Sequence, residues 1–252
     1  MSDSILDIKN LTVSFDGFKA VNELSTSVNK GDIHFFIGPN GAGKTTLLDA
    51  ICGRVKPAEG KIIFKGIKDV TEMSEHQIVE LGIGRKFQVP SVFMGITIYE
   101  NMELAAARKR SLYSTLFTKL SKEQMERIQD VLQKIGLYEK RYRTPAALSH
   151  GEKQWLEIGM LLVQQPEIML LDEPVAGMGR KETDKTGRLL KEISEKCSVI
   201  VVEHDMEFVR EYADKVTVLH EGRLLDEGNM HEIQENPKVM EVYLGRGGEG
   251  CD

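Results

Sequence analysis

Apolar positions from Ile5 to Gly38 come in short alternating bursts, ILDIKNLTVSF and then DIHFFIG, punctuated by Gly17, Gly31 and Gly38. Alternation at period two predicts strands separated by glycine turns. After Gly43 the rhythm changes to KTTLLDAICG, which predicts a short helix stopped at Gly53. Strand, glycine loop and helix therefore follow one another in order. GKIIFKG, from Gly60 to Gly66, predicts one more bounded strand.

From Thr97 to about Arg143 the pattern is helical. MERIQDVLQKIG puts Met125, Ile128, Val131, Leu132 and Ile135 on one face and ends at Gly136. Beyond Ser149 helical and strand patterns alternate. EIMLLDEP and SVIVVEHD are nearly continuous apolar runs, as expected of strands buried on both faces of a parallel sheet. KVTVLHEGRLLDEG predicts a hairpin turning at Glu221-Gly222. There is no internal repeat and no low-complexity linker.

Composition narrows the class. With 252 residues, 41% of them hydrophobic, the chain can bury a large core, and one domain with an inserted subdomain fits better than two folds. A formal net charge of −6 and a pI near 5.6 argue against a nucleic-acid partner, which a basic field would attract. Cys52, Cys197 and Cys251 are far apart and lack metal-ligand spacing, so neither a disulfide framework nor a zinc site is indicated. The amino terminus has no signal-like flank. No window approaches the roughly 18 consecutive apolar residues of a membrane span. The basic run Arg108-Lys109-Arg110 suits a solvated helix face, with lipid headgroups or a partner as the alternative.

The chemistry concentrates in a few motifs. GPNGAGKTT, comprising Gly38, Pro39, Asn40, Gly41, Ala42, Gly43, Lys44, Thr45 and Thr46, matches the phosphate-loop pattern G-x-x-x-x-G-K-[ST] between a predicted strand and helix. Gly41 and Gly43 let backbone N–H groups turn inward around phosphate oxygens, and the helix start adds partial positive charge. Lys44 suits the β- and γ-phosphates, and the Thr45 hydroxyl suits Mg²⁺. IMLLDEP places Asp172 and Glu173 at a buried strand's carboxyl end, where ligands of open α/β sheets collect. Asp172 is read as a magnesium ligand and Glu173 as the group polarising the attacking water; an ordinary surface pair is the alternative. Gln88 and His204 are each compatible with plain loop polarity. Beside a nucleotide, Gln88 would contact Mg²⁺ and water, and His204 the γ-phosphate and water.

Phosphate loop, Gln88, LSHGE (Leu148 to Glu152), Asp172-Glu173 and His204, in this order, resemble the ATP-binding subunit of ABC transporters across essentially the whole chain. The resemblance implies an α/β fold: a P-loop NTPase (RecA-like) core, an N-terminal antiparallel β subdomain and an inserted α-helical subdomain. Residues 1–252 then form one nucleotide-binding domain, with 1–88 and 148–240 as catalytic core and 89–147 as helical subdomain. It also implies a head-to-tail dimer in which ATP lies between one chain's phosphate loop and its partner's LSHGE. Ser149 and Gly151 would contact the γ-phosphate there, and Phe15 would stack on adenine, with Phe18 as the alternative. RKFQVPSVF, LSHGEKQWLEIGML, DEPVAGM and EVYLG are similar to the ATPase of bacterial urea importers, within the wider group importing branched-chain and hydrophobic amino acids. That group pairs two ATPase chains with two membrane permease subunits and, indirectly, a periplasmic receptor. The location implied is the cytoplasmic face of the inner membrane, with ATP and Mg²⁺ as cofactors.

Two departures from the family pattern stand out. Gly179 replaces the polar residue that usually contacts the partner chain, leaving only backbone there, and His150 replaces a glycine. His150 suits either charge against a phosphate across the dimer or a solvent-facing position. Ser149 and Glu152 have capping-box spacing, which makes the glutamate a helix starter. A branched-chain or amide amino-acid importer is the alternative to urea, and a soluble ABC ATPase of the iron–sulfur assembly type the more distant one. A small-molecule kinase would leave LSHGE unexplained.

Overall fold

The computed structural model describes residues 4–86, 92–107 and 120–244. Gln88, the basic run at 108–110 and Cys251 lie outside these residues. A four-stranded antiparallel sheet has the order β2-β1-β4-β5, with β1 Ser4–Phe15, β2 Phe18–Asn29, β4 Glu59–Phe64 and β5 Lys68–Asp69. A six-stranded sheet has the order β10-β9-β3-β8-β7-β6, with β3 Ile33–Ile37, β6 Ile83–Arg85, β7 Ile168–Asp172, β8 Ser198–Val202, β9 Lys215–His220 and β10 Arg223–Gly228. β9, β3, β8, β7 and β6 run parallel, and β10 pairs antiparallel with β9 through the turn at Glu221 (φ 48°) and Gly222 (φ 76°).

The continuous apolar runs follow from two-sided burial. Ile33, Phe35, Ile37, Met169, Leu171, Val199 and Val201 point into one core, and Phe36, Ile168, Leu170, Ile200 and Val202 into the other. The second core is closed by the antiparallel sheet and by α1, Lys44–Ile51. The first is closed by helices: α3 Ile98–Ala107, α4 Lys122–Lys134, α5 His150–Leu162, α6 Arg180–Ser194, α7 Met206–Tyr212 and, through Met230 and Ile233, α8 Met230–Glu235, while α2 Glu75–Glu80 adds Ile78 to the second. α4 buries Ile128, Val131 and Leu132 as its spacing predicts, with Ile135 just beyond. Met125, expected on that face, is 40% exposed because it lies in the first turn, outside the packed stripe. α5, within residues 148–240, packs on α3 and α4 as well as on α6. Gly159 packs against Ile135, and Trp155 donates its indole N–H to Thr186 of α6 at 2.9 Å.

A buried polar network ties the sheets together. His34, fully buried in β3, stacks on Phe36 and bonds Thr217 through Nε2 at 2.7 Å. Thr217 and Thr26 both donate to Glu227, which also pairs with Lys215 at 2.7 Å. Burial, with Lys215 adding to it, lowers the His34 pKa from 6.5 to about 3. The unfolded chain therefore takes up a proton near pH 6.5 that the fold refuses until about pH 3, so stability falls as pH drops through that window. The expected slope is about 1.4 kcal/mol per pH unit. Urea unfolding at pH 7 and pH 5 should show it, and His34→Gln should lose most of that difference; an unchanged pH dependence in the variant would move the cause elsewhere.

Candidate functional site

The loop from Gly38 to Gly43 leaves β3 at a point fixed from three sides. A Cβ on Gly38 would stand 2.1 Å from the Leu219 carbonyl, and one on Gly43 (φ 98°) 2.3 Å from the Ala20 carbonyl. The Ala42 carbonyl accepts from Gly222 N–H at 3.2 Å, and the Gly222 carbonyl from Asn22 N–H at 2.8 Å. The β9–β10 turn and β2 thus brace the loop from behind. Gly41 (φ 81°) has no neighbour within 4 Å of a built Cβ and faces open space. The start of α1 lacks a side-chain cap, whereas α2, α4, α5, α7 and α8 are capped by Ser74, Ser121, Ser149, Asp205 and Asn229. The leading N–H groups of α1 have no partner within the helix and form a cradle suited to an anion.

Lys44 Nζ donates to the Gly38 and Pro39 carbonyls at 2.7 and 3.0 Å, so the ammonium lies folded over the loop. Burial lowers its pKa, opposed by Glu173 and Asp172. Phe15, Phe18, Asn40, Gly41, Ala42, Gly43, Lys44, Thr45, Thr46 and Glu173 line one open pocket. Phe15 and Phe18 are cross-strand neighbours on either side of a turn with positive φ at Asp16 and Gly17. Both rings are exposed, at 47% and 69%, so the two candidates for base stacking form one aromatic edge.

Asp172, 3% exposed at the end of β7, lies beside the Thr45 side chain. Burial raises its pKa; Arg85 opposes this and Glu173 adds to it. A hydroxyl and a carboxylate beside a phosphate cradle are hard oxygen donors. They fit Mg²⁺, which takes few protein ligands and fills its octahedron with phosphate oxygens and water. Arg85 was not anticipated from the sequence: it donates to Asp49 of α1 at 2.6 Å and lies 3.7 Å from Asp172. Its one sequence signal is a charge ending the short apolar strand β6.

Glu173 adopts a left-handed conformation (φ 47°), donates its N–H to the Val202 carbonyl at 2.9 Å and leaves its carboxylate half-exposed. His204 Nδ1 stands 3.6 Å from Glu173 Oε1. Glu203 was also missed; its signal is a carboxylate continuing the apolar run of β8.

LSHGE opens α5 through the capping box its spacing predicts. Ser149 caps α5 by accepting the Glu152 N–H at 3.2 Å, and the Glu152 carboxylate accepts the Ser149 N–H at 3.1 Å. Burial pushes the Glu152 carboxyl up, but Lys140 and the Ser149 N–H more than offset this and hold it below the usual range. Glu182 of α6, a further residue not anticipated, accepts from the Ser149 hydroxyl and the Gly179 N–H, both at 3.3 Å, and fills the space a Cβ on Gly151 would need. His150 is exposed, with Nε2 3.1 Å from the Ala176 carbonyl. At Gly179 φ is −78° and a Cβ would meet nothing within 4 Å. Ser149, His150 and Gly151 do not line the pocket at the phosphate loop.

The ABC transporter family model matches residues 21–176. The chain is 35% identical to the high-affinity branched-chain amino acid transport ATP-binding protein LivG of Salmonella typhimurium, over 97% of this chain and 99% of that protein. It is 34% identical to BraF of Pseudomonas aeruginosa, which carries the same description, over 97% and 99%. Among solved structures it is similar to the ADP conformation of MJ1267, an ATP-binding cassette of an ABC transporter, with 31% identity, a TM-score of 0.86 and coverage of 96% and 99%. It is also similar to the dimeric structure of MJ0796, a bacterial ABC transporter cassette, with 25% identity, a TM-score of 0.77 and coverage of 89% and 98%.

The loop geometry separates two substitutions. Gly43→Ala meets both a positive φ and a backbone oxygen, and should weaken ATP binding by at least about tenfold. Gly41→Ala bears the conformational cost alone and should lose less. Titration with a fluorescent ATP analogue measures both, and equal losses would contradict the role given to the Ala20 contact.

Proposed function

The chain belongs to the ABC transporter family, and on that premise we propose that it is the ATP-hydrolysing subunit of a bacterial importer for branched-chain amino acids. The reading of the solute rests on relatives about one-third identical over nearly the full chain, whose names specify branched-chain amino acids. Urea, the solute first expected from the branch motifs, has no support among those relatives. The division of the ATP site between two chains is supported by Ser149 and Gly151 not lining the phosphate-loop pocket, and by the dimeric structure of the MJ0796 cassette.

Each residue then has a distinct task. Backbone N–H groups of Gly41, Gly43 and the first turn of α1 hold the phosphates; Lys44 moves from the Gly38 and Pro39 carbonyls to the β- and γ-oxygens. Phe15, with Phe18 beside it, supplies the base platform. Thr45 and Asp172, with Gln88, would hold Mg²⁺, which when bound neutralises charge on the phosphates. Glu173 accepts the proton of a water whose oxygen bonds to the γ-phosphorus as the bond to the β–γ bridging oxygen breaks. His204 orients that water and the γ-phosphate. Ser149 and Gly151 of a second ATPase chain close the site, and two membrane permease subunits and a periplasmic receptor complete the assembly. Among the described residues no helix is long and apolar enough to cross a membrane. A peripheral place on the cytoplasmic face of the inner membrane follows from the role.

The test is ATP turnover by the transporter reconstituted with its membrane subunits and receptor. Leucine, isoleucine or valine should stimulate it, and urea should not. The reverse order would assign the chain to the urea branch. Glu173→Gln should retain ATP binding while turnover falls by about a hundredfold or more. Near-normal turnover would remove Glu173 as the base.

A further inference from the structure

Glu203 follows β8 immediately and precedes His204, with 1% of its surface exposed. A carboxylate so deep in a core is costly unless its oxygens find donors. Its Oε1 accepts the Val175 N–H at 3.2 Å and its Oε2 the His204 N–H at 3.1 Å. The donors come from two separate turns. Val175 lies two residues beyond Glu173, in the turn after β7, while His204 and Asp205 begin the turn after β8. The same carboxylate thus ties together the turns that carry Glu173 and His204.

The backbone it steadies is strained. Glu173 is left-handed at φ 47° and precedes Pro174, which restricts it further. Such a conformation persists only where the surroundings fix it. On the near side the Glu173 N–H is held by the Val202 carbonyl, and on the far side Val175 is held by Glu203. Released at Val175, the turn can relax and carry the Glu173 carboxylate away from His204.

We propose that Glu203 is a positioning residue for hydrolysis: its buried carboxylate clamps the 173–176 turn to the 204–205 turn and thereby fixes Glu173 and His204 relative to one another. The proposal rests on the reading of Glu173 as the base. Glu203→Gln keeps the size but offers one acceptor oxygen and turns an NH₂ group toward N–H donors. Glu203→Asp keeps the charge on a side chain one methylene shorter.

In the reconstituted transporter, Glu203→Gln should lower kcat by about tenfold while KM for ATP stays within about twofold, because the phosphate loop is untouched. Glu203→Asp should retain more of kcat than Glu203→Gln. Equilibrium ATP titration of the same samples counts folded sites. A kcat at the wild-type level in Glu203→Gln, or a fall in kcat matched by an equal loss of ATP binding, overturns the proposal. If Glu203→Gln fails to fold, Glu203→Asp decides by the same split between kcat and KM, and a wild-type kcat there overturns it. Glu173→Gln run in parallel separates the two readings. Full turnover in that variant removes both, whereas an inactive Glu173→Gln beside fully active Glu203 variants removes only the positioning role.

Discussion

Burial of β3, β7 and β8 on both faces is the constraint from which the rest follows. Their residues are at most 3% exposed, so no charged group along them reaches water. Polar chemistry is displaced to the carboxyl ends, where parallel strands finish on one edge. The phosphate loop leaves β3 there, Asp172 ends β7, and Glu203 and His204 follow β8. Side-chain alternation then sorts the groups by face. Asp172 keeps the phase of Ile168 and Leu170 and faces α1, Thr45 and Arg85; Glu203 keeps the phase of Val199 and Val201 and meets Val175 on the other side.

That edge concentrates charge. Asp172, Glu173 and Glu203 stand near one another, and the pKa of each buried member, Asp172 and Glu203, is raised by desolvation. Each is compensated differently. Asp172 has Arg85, itself anchored on Asp49, whereas Glu203 is satisfied by backbone N–H groups. Glu173 is left half-exposed, so of these three carboxylates the one that reaches solvent is the one beside the phosphate loop.

Much of this was legible in the sequence because its causes are local. The change from period two to a helical period at Gly43, the apolar runs before Asp172 and Glu203, the turn at Glu221-Gly222 and the spacing of Ser149 and Glu152 all act within a few residues. What was not legible depends on distant parts of the chain meeting. Arg85 finds Asp49, Glu203 finds Val175, and Glu182 finds Ser149 only in the fold. Lys86 similarly pairs with Glu157 of α5 at 3.4 Å, both side chains buried, although each reads as a surface charge in its own segment. His150 was ambiguous for the same reason: its neighbour, the Ala176 carbonyl, lies on another turn. The solute was out of reach for a further reason: in the proposed role it passes through the membrane subunits, not through this chain.

The bracing of the phosphate loop also has a temporal side. Both sheet neighbours of β3, β8 and β9, come from the carboxyl-terminal part of the chain, and contacts at the head of β3 span 167 residues, from Gly31 to Ser198, and 181, from Ile33 to Asp214. The Gly222 N–H that holds the Ala42 carbonyl is made later still. On the ribosome the loop and its Ala20 neighbour are complete near the start of synthesis, but the walls supplied by Leu219 and Gly222 exist only once nearly the whole chain has emerged. A truncated or nascent chain carries the full phosphate-loop motif without a formed cradle, so competence for nucleotide arrives together with completion of the fold.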